Sequence, residues 1–405
     1  KKRSNPSVMR HNFGRIPNIS IPRSSFDRSH GNKTTFNSGK LIPVLVDEAL
    51  PGDTFNCKMY GLARLSTPIA PIMDNLHMET FFFFVPNRLI LANWERLDGA
   101  QDDPGDSTDY TVPQFVNSSG VTAQEIHDHM GIPPGIADVK FSCLWARAYN
   151  LIWNEWFRDE NLQDSVAVYP DDTAGAQSDY ELLPRGKRFD YFTSSLPFAQ
   201  KGDSVSIPLG TSAPTTIAGN GSPTFDDGTH SGILFQFDQN TDTYVGDAQT
   251  GVSTAPADWD DPALTGTTDL TSATAVTINA LREAASTQQL FEKDARGGTR
   301  YTEIIRAHFG VTSPDQRLQR PEFLGGGSTP VNFYTVPQAS DQSLGGDTLG
   351  TTGAYAAAEI NNHGFTKSFT EHGVILGLVN VRADITYQQG IERQFNRQTR
   401  YDFYL

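Results

Sequence analysis

Leu76–Pro86 reads LHMETFFFFVP, and four consecutive phenylalanines stand out in a chain with a mean hydropathy of −0.41 and 37% hydrophobic residues. The first half alternates. Leu76, Met78, Thr80, Phe82 and Phe84 share one face of an extended strand, and His77 and Glu79 lie opposite. From Phe81 onward the second face turns apolar too, through Phe83 and Val85. One strand therefore passes from half-buried to buried on both sides. Burying one phenylalanine contributes roughly 1.5–3 kcal/mol, and leaving such a run wet invites cross-β pairing. Phe82 and Phe84 are expected to face the interior of a β core. Phe81 and Phe83 need a second cover, either a helix or a neighbouring subunit, and Pro86 and Arg88 act as stops.

Other stretches extend the β reading. In Phe55–Leu65, Phe55, Cys57, Met59, Ala63 and Leu65 share one face, with Asn56, Lys58 and Arg64 on the other, after a turn LPGD at Leu50–Asp53. Val374–Val381 is nearly continuous apolar, and Val381, Ala383, Ile385 and Tyr387 then alternate with Arg382, Asp384 and Thr386, as in a central strand running out to a surface. Tyr401, Phe403 and Leu405 alternate as if in another strand, and ending in mid-pattern suggests that a C-terminal piece follows. Two helices are predicted. Phe141–Glu160 carries Phe141, Leu144, Trp145, Ala148, Ile152 and Trp156 at helical spacing, and it is the candidate cover for Phe81 and Phe83. Thr277–Arg296 has Ile278, Leu281, Ala284, Ala285, Leu290 and Phe291 on its apolar side and stops at Gly297–Gly298.

At 405 residues the chain suits two domains, or one large β domain with a long insertion. The 35 glycines and 24 prolines between short apolar runs favour strands and turns over helix bundles. Cys57 and Cys143 are the only cysteines, so no disulfide framework or cysteine metal site is suggested. No apolar run is long enough to span a bilayer, so no membrane insertion is expected. The start, KKRSNPSVMRHNF, lacks the apolar core of a secretory signal, and a soluble, cytoplasmically made protein is the simplest expectation.

Charge is split along the chain. Residues 1–40 carry nine Lys/Arg against the single acid Asp27, a net +8 within a total of −15, which leaves −23 on the rest. Pro6, Pro17 and Pro22 favour extended backbone there, and forty extended residues reach on the order of 130 Å, so the segment reads either as a strap across a neighbouring subunit or as a disordered tail with a solvated charge run. Residues 201–280 hold ten aspartates, no glutamate and one base, Lys201. A Gly/Thr/Ser/Asp-rich stretch of this length exceeds an ordinary loop and reads as an inserted, surface-exposed β-rich subdomain.

No sequence signature of catalysis emerges. P-loop, G-x-S-x-G, H-E-x-x-H and EF-hand patterns are all missing. His127 and His129 in EIHDHMG are two apart, so on a helix they point to different faces and do not share a metal. The clusters Asp102, Asp103, Asp106, Asp109 and Asp258, Asp260, Asp261 fit solvated loops, with weak Ca²⁺ binding as the alternative. No catalytic residue, resident metal or cofactor is assigned. Arg185–Arg188 (RGKR) and Arg393, Arg397 and Arg400 suit either phosphates or ion pairs. The basic arm is the best physical candidate for nucleic-acid contact, and Phe13 suits either base stacking or packing on protein.

Long strings carry a resemblance. SNPSVMRHNF (Ser4–Phe13), PIMDNLHMETFFFFVPNRL (Pro71–Leu89), RAYNLIWNEWFRDENLQ (Arg147–Gln163), LPRGKRFDYFTSSLPFAQKGD (Leu183–Asp203) and DARGGTRYTEIIRAHFGVTSPDQRLQRPEFLGG (Asp294–Gly326) are similar to the gokushovirus major capsid proteins of small single-stranded-DNA bacteriophages, the Microviridae. The resemblance covers both sides of residues 204–276 and no motif within them. It implies a single eight-stranded antiparallel jelly roll of the viral capsid type, with long inter-strand insertions containing a few helices. It also implies pentamers that close a T=1 icosahedral shell around circular single-stranded DNA, accompanied by a small basic DNA-binding viral protein.

The expected organisation is an arm at 1–40, core at 41–200 and 277–405, and a three-fold protrusion at 201–276 that meets a host receptor. Lys1, Lys2, Arg3, Arg10 and Arg15 are the candidate DNA contacts. Asp226, Asp227, Phe235, Phe237 and Trp259 are the candidate host-surface residues. A carbohydrate-binding or carbohydrate-active β-sandwich, or a lectin-like adhesion module, is the competing reading.

Overall fold

Alternating apolar residues fold here into antiparallel sheets, and more residues lie in strands than in helices. The computed structural model describes residues 24–66, 72, 74–190, 196–206, 277–312, 319–337, 339, 352–384 and 389–403, together with six short strands between Thr215 and Thr268. In chain order, β1 (Ile42–Ala49), β2 (Thr54–Arg64) and β3 (Leu76–Pro86) precede a short pair, β4 (Gln114–Asn117) and β5 (Val139–Ser142). The short strands are β6 (Thr215–Ala218), β7 (Thr224–Asp226), β8 (Phe235–Asp238), β9 (Thr243–Gly246), β10 (Asp258–Asp260) and β11 (Thr265–Thr268). Then come β12 (Glu322–Pro330), β13 (Asn332–Pro337), β14 (Thr352–Ser368) and β15 (Gly373–Ala383). The helices are α1 (Trp94–Leu97), α2 (Ile126–His129), α3 (Leu144–Ile152), α4 (Ile278–Gly297), α5 (Tyr301–Phe309) and α6 (Arg393–Asn396).

The chain divides into two compact units. One takes in residues up to Arg158, Ser165–Arg188 and Leu318 onward, and holds both large sheets. The other takes in Asp159–Asp164 and Phe189–Arg317, with α4 and α5.

In the first unit a four-stranded sheet runs β1-β15-β3-β12 and a three-stranded sheet runs β13-β14-β2, every pairing antiparallel. β2 alternates strictly between exposed and half-buried residues, as its sequence predicts, after the Leu50–Asp53 turn closed by Asp53 N–H on the Leu50 carbonyl (3.0 Å). Side chains from the two sheets meet between them. Phe82 and Phe84 of β3 pack with Phe365 of β14, Phe369 and Ile375, and Met78 packs with Ala358, Ile360 and Val379. The Phe82 and Phe365 rings lie 5.5 Å apart, and those of Phe84 and Phe369 4.5 Å apart. Glycines make room for these rings. A Cβ on Gly377 of β15, opposite Phe82, would sit 2.8 Å from the Leu45 Cβ and 3.0 Å from the Phe82 ring. β15 itself is buried from Gly373 to Asn380, because Val374, Leu376 and Leu378 pack under α3 while Ile375 and Val379 face the other sheet.

The opposite face of the phenylalanine run is sealed by the same chain. Phe157 packs edge-on against Phe81 at 5.3 Å and Phe83 at 5.9 Å, and Trp156 lies 5.5 Å from Phe83. The covering segment differs from the predicted Phe141–Glu160 helix at both ends. Phe141 and Ser142 belong to β5, where Phe141 stands opposite Phe115, so α3 starts only at Leu144. Trp153–Phe157 forms a π-helical turn, a widening by which the adjacent Trp156 and Phe157 both reach Phe83. Arg147, fully buried in α3, ties this layer down by donating to the carbonyls of Ile90 (2.9 Å), Asp171 (3.0 Å) and Thr173.

Two further expectations change. Arg400–Phe403 is a 3-10 turn, with Asp402 accepting from the Gln398 and Thr399 amides at 3.0 and 2.7 Å, so Tyr401 and Phe403 are not in a strand. Leu405 lies outside the described residues. α4 spans the predicted helix, capped by Thr277 Oγ1 accepting from the Ala280 amide at 3.1 Å. Its packed side is Ala284, Phe291 and Ala295, whereas Ile278, Leu281 and Leu290 are exposed.

Candidate functional site

Lys1, Lys2, Arg3, Arg10, Phe13 and Arg15 lie outside the described residues. The arm is described from Ser24, and its exposed residues run along β1, held by Arg28 on Asp47 (2.8 Å) and by Asn32 Nδ2 donating to the Val44 carbonyl (3.0 Å). It enters the body at Gly39–Leu41, stitched on both sides. Gly39 donates to the Val381 carbonyl (2.8 Å), Leu41 donates to that of Leu183 (3.0 Å), and the Arg185 amide donates to the Gly39 carbonyl (2.9 Å).

Cationic side chains gather at this root. Sequence reading places Glu79 on an open polar face, but the residue is only 5% exposed. Its carboxylate receives Arg382 through two bonds of 3.0 and 3.1 Å, Arg188 at 2.7 Å, and Arg185. Arg382 also reaches Asp384 at 3.2 Å. Burial, reinforced by the like charges of Arg382 and Arg188, pulls the Arg185 guanidinium down to about 10, so it stays charged at neutral pH. That guanidinium also sits 4.6 Å over the Phe81 ring. The RGKR segment thus locks to β3 and β15 through a shared buried carboxylate, and the arm's root lies beside it.

Strand pairing in the 215–268 stretch is nested. β6 pairs with β11, β7 with β10 and β8 with β9, all antiparallel, like successive rungs of one long excursion. Register sets Asp226 opposite Asp258, Trp259 opposite Phe225, Phe235 opposite Gly246, and Phe237 opposite Tyr244. The candidate host-surface residues therefore fall on the two inner rungs, except Asp227, which lies outside the described residues.

Other groups that might carry chemistry have structural partners. His127 sits between Phe115 (5.4 Å) and Phe141 (5.0 Å), and burial pulls its imidazole down to about 4. His129 shares a hydrogen bond of 3.1 Å with Thr34 of the arm and is also lowered by burial. The two histidines thus face different surroundings, as their spacing requires. Burial raises both thiols, Cys57 and Cys143. A cavity of about 620 Å³ opens between the arm and the loops at 117–126 and 177–182, lined by polar groups that include Lys40, Glu125, His129 and Glu181. Asp102 and Asp103 donate their amides to the Asp106 carboxylate, a local turn. Among the described residues no group of three or more His, Cys, Asp or Glu side chains is arranged to hold a metal ion. No described helix is long and apolar enough to cross a membrane.

Facing antiparallel sheets, with a cationic arm and a stretch of nested strand pairs, define a two-sheet β protein. Comparison with known proteins makes the assignment specific. Residues 14–405 match the family described as Capsid protein (F protein). The chain is 45% identical over 408 residues to Capsid protein VP1 of Bdellovibrio phage phiMH2K, covering 97% of this chain and 75% of that protein. It is 40% identical over 468 residues to Capsid protein VP1 of Chlamydia phage 1 (100% and 78%), and 35% identical over 432 residues to that of Spiroplasma virus 4 (100% and 77%). The chain belongs to the capsid protein (F protein) family, in its gokushovirus branch, as the quoted strings lead one to expect. Its role is that of a structural capsid protein of the virion and not that of an enzyme, and the carbohydrate-active alternative is not favoured.

Proposed function

We propose that copies of this chain assemble through pentamers into a T=1 icosahedral shell enclosing circular single-stranded DNA. The sandwich is read as the eight-stranded jelly roll of that shell. Its seven described strands support this, because they form two antiparallel sheets in which the first strand, β1, lies beside the last, β15, as in a double-sheet fold of long-range crossovers.

The observation that carries the DNA side is the arm's root. A segment of net charge +8 leaves the body beside Arg185, Arg188 and Arg382, and so suits the phosphate-lined interior. Lys1, Lys2, Arg3, Arg10 and Arg15 are then the phosphate contacts, with a small basic viral protein sharing the genome's charge. The acidic insertion at 201–276 faces outward and meets the host receptor, with Asp226, Asp227, Phe235, Phe237 and Trp259 as its contact candidates. The experiment is excision of residues 204–276 from the full chain. Closed particles that form but no longer attach to host cells support the assignment. Loss of assembly, or attachment unchanged, overturns the insertion's role.

A further inference from the structure

The outer face of the β13-β14-β2 sheet carries a stripe of apolar side chains that the described residues leave exposed. Tyr60 and Leu62 of β2 are 66% and 81% exposed, Tyr334 and Val336 of β13 48% and 54%, and Tyr355 of β14 48%. Their strands place them on one face. Tyr334 stands directly opposite Tyr355, Leu62 opposite Glu359, and Arg64 opposite Ala357, so the Tyr60–Leu62 end and the Tyr355–Tyr334–Val336 end join diagonally through Ala357, which lies between Arg64 and Glu359. The stripe's length is on the order of 25–30 Å at ordinary strand rise and spacing. The Tyr334 and Tyr355 rings stack, with centroids 5.1 Å apart and planes 19° from parallel, so this part of the surface is already ordered.

We propose that this face is a contact between copies of the chain, with Tyr60, Leu62, Tyr334, Val336 and Tyr355 as its apolar centre. The inference rests on the capsid assignment, which requires chain-to-chain surfaces, and it names one of them. Area supports the occupant. At these exposures the five side chains present on the order of 500 Å². A stable interface takes about 800 Å² from each partner, and about 60% of that is apolar. The stripe supplies that apolar share, and Asn56, Lys58, Arg64 and Glu359 supply a polar rim. Composition points the same way, because tyrosine is enriched at the centre of protein interfaces and charged residues are depleted. A nucleic-acid strand is the weaker fit. Leu62 and Val336 offer no ring for a base to stack on, and Glu359 offsets one of the two charges of Lys58 and Arg64 on the same face.

Leu62→Lys separates these occupants, because it breaks an apolar protein contact while adding a charge that favours DNA. In the full chain, the variant is expected to give at least about tenfold fewer closed particles than wild type, with unchanged unfolding of dispersed subunits. Hydroxyl-radical labelling of Tyr60, Tyr334 and Tyr355 is expected in dispersed subunits and lost in particles. Wild-type yield from Leu62→Lys overturns the proposal. So does protection of the tyrosines already in dispersed subunits, which would mean that the same chain covers them, or protection by single-stranded DNA without assembly. Wild-type particles beside normal Leu62→Lys particles sink this face alone. No wild-type particles at all sink the capsid assembly, and the face with it.

Discussion

Replacing Phe83 by alanine tests whether the phenylalanine run is sealed within one chain. Phe83 is 1% exposed, in contact with Trp156 and Phe157 on the covering segment and with Phe323 of β12. Truncation removes the transfer free energy of the ring and opens a cavity under a π-turn held in place by the fully buried Arg147. For such a site the loss is about 3–5 kcal/mol. Phe81 is half-buried, against Phe157 and the Arg185 guanidinium, so Phe81→Ala should cost about 1–3 kcal/mol. Leu62→Ala, on the exposed outer sheet, should stay within about 0.5 kcal/mol. The assay is urea unfolding of dispersed subunits followed by tryptophan fluorescence, because Trp156 stands 5.5 Å from Phe83. With a slope of about 3 kcal/mol/M, the midpoint should fall by about 1–1.7 M for Phe83→Ala. A double-mutant cycle with Phe157 should return a coupling of about 0.5–1.5 kcal/mol. If Phe83→Ala costs dispersed subunits no more than Leu62→Ala does, the intrachain cover is wrong, and the face is sealed only by a neighbour.

Three further outcomes are expected. Glu79→Gln removes the carboxylate shared by Arg185, Arg188 and Arg382, leaving three guanidinium groups crowded together, and should cost about 3–5 kcal/mol in the same urea assay. The His127 imidazole is held at about 4, below its ordinary 6.5, by burial among Phe115 and Phe141, with Glu125 opposing the shift. The unfolded chain therefore takes up a proton first as pH falls, and stability should drop by about 3 kcal/mol between pH 6.5 and 4. His127→Phe should flatten that part of the profile, and an unchanged profile would show that another group is responsible. Neutralising Lys1, Lys2, Arg3, Arg10 and Arg15 should make the salt dependence of single-stranded DNA binding shallower by about 3.5 in log K per log salt. An unchanged slope would assign the arm to protein contacts alone.

What could be read from the sequence followed the range of the interactions involved. The alternation of Phe55, Cys57 and Met59 is local, and β2 forms as its period predicts. Phe82 and Phe84 were assignable to the core face because they continue the phase set by Leu76 and Met78. A tryptophan-rich helical segment was the natural cover for Phe83, yet its π-turn depends on packing against β3, which periodicity does not encode. Glu79 looked solvated because its partners Arg188 and Arg382 lie 109 and 303 residues away. At the other end, Tyr401 and Phe403 alternate like a strand, but a short-range turn around Asp402 satisfies the backbone first. For the assembly face the signal was present in part. Tyr60 and Leu62 break the polar side of β2, which otherwise carries Asn56, Lys58 and Arg64, but only the β13-β14-β2 pairing shows that Tyr334, Val336 and Tyr355 continue the stripe.

Side-chain-resolution electron microscopy of particles assembled from the full chain with single-stranded DNA shows whether the chain closes a shell around its genome. Closed shells with five-fold vertices are expected, with the residue 1–40 arms against the DNA inside and the 201–276 insertions outside. A chain that stays dispersed at high concentration with DNA present, or shells with the arms outside and the insertions facing the DNA, would contradict the proposed assembly.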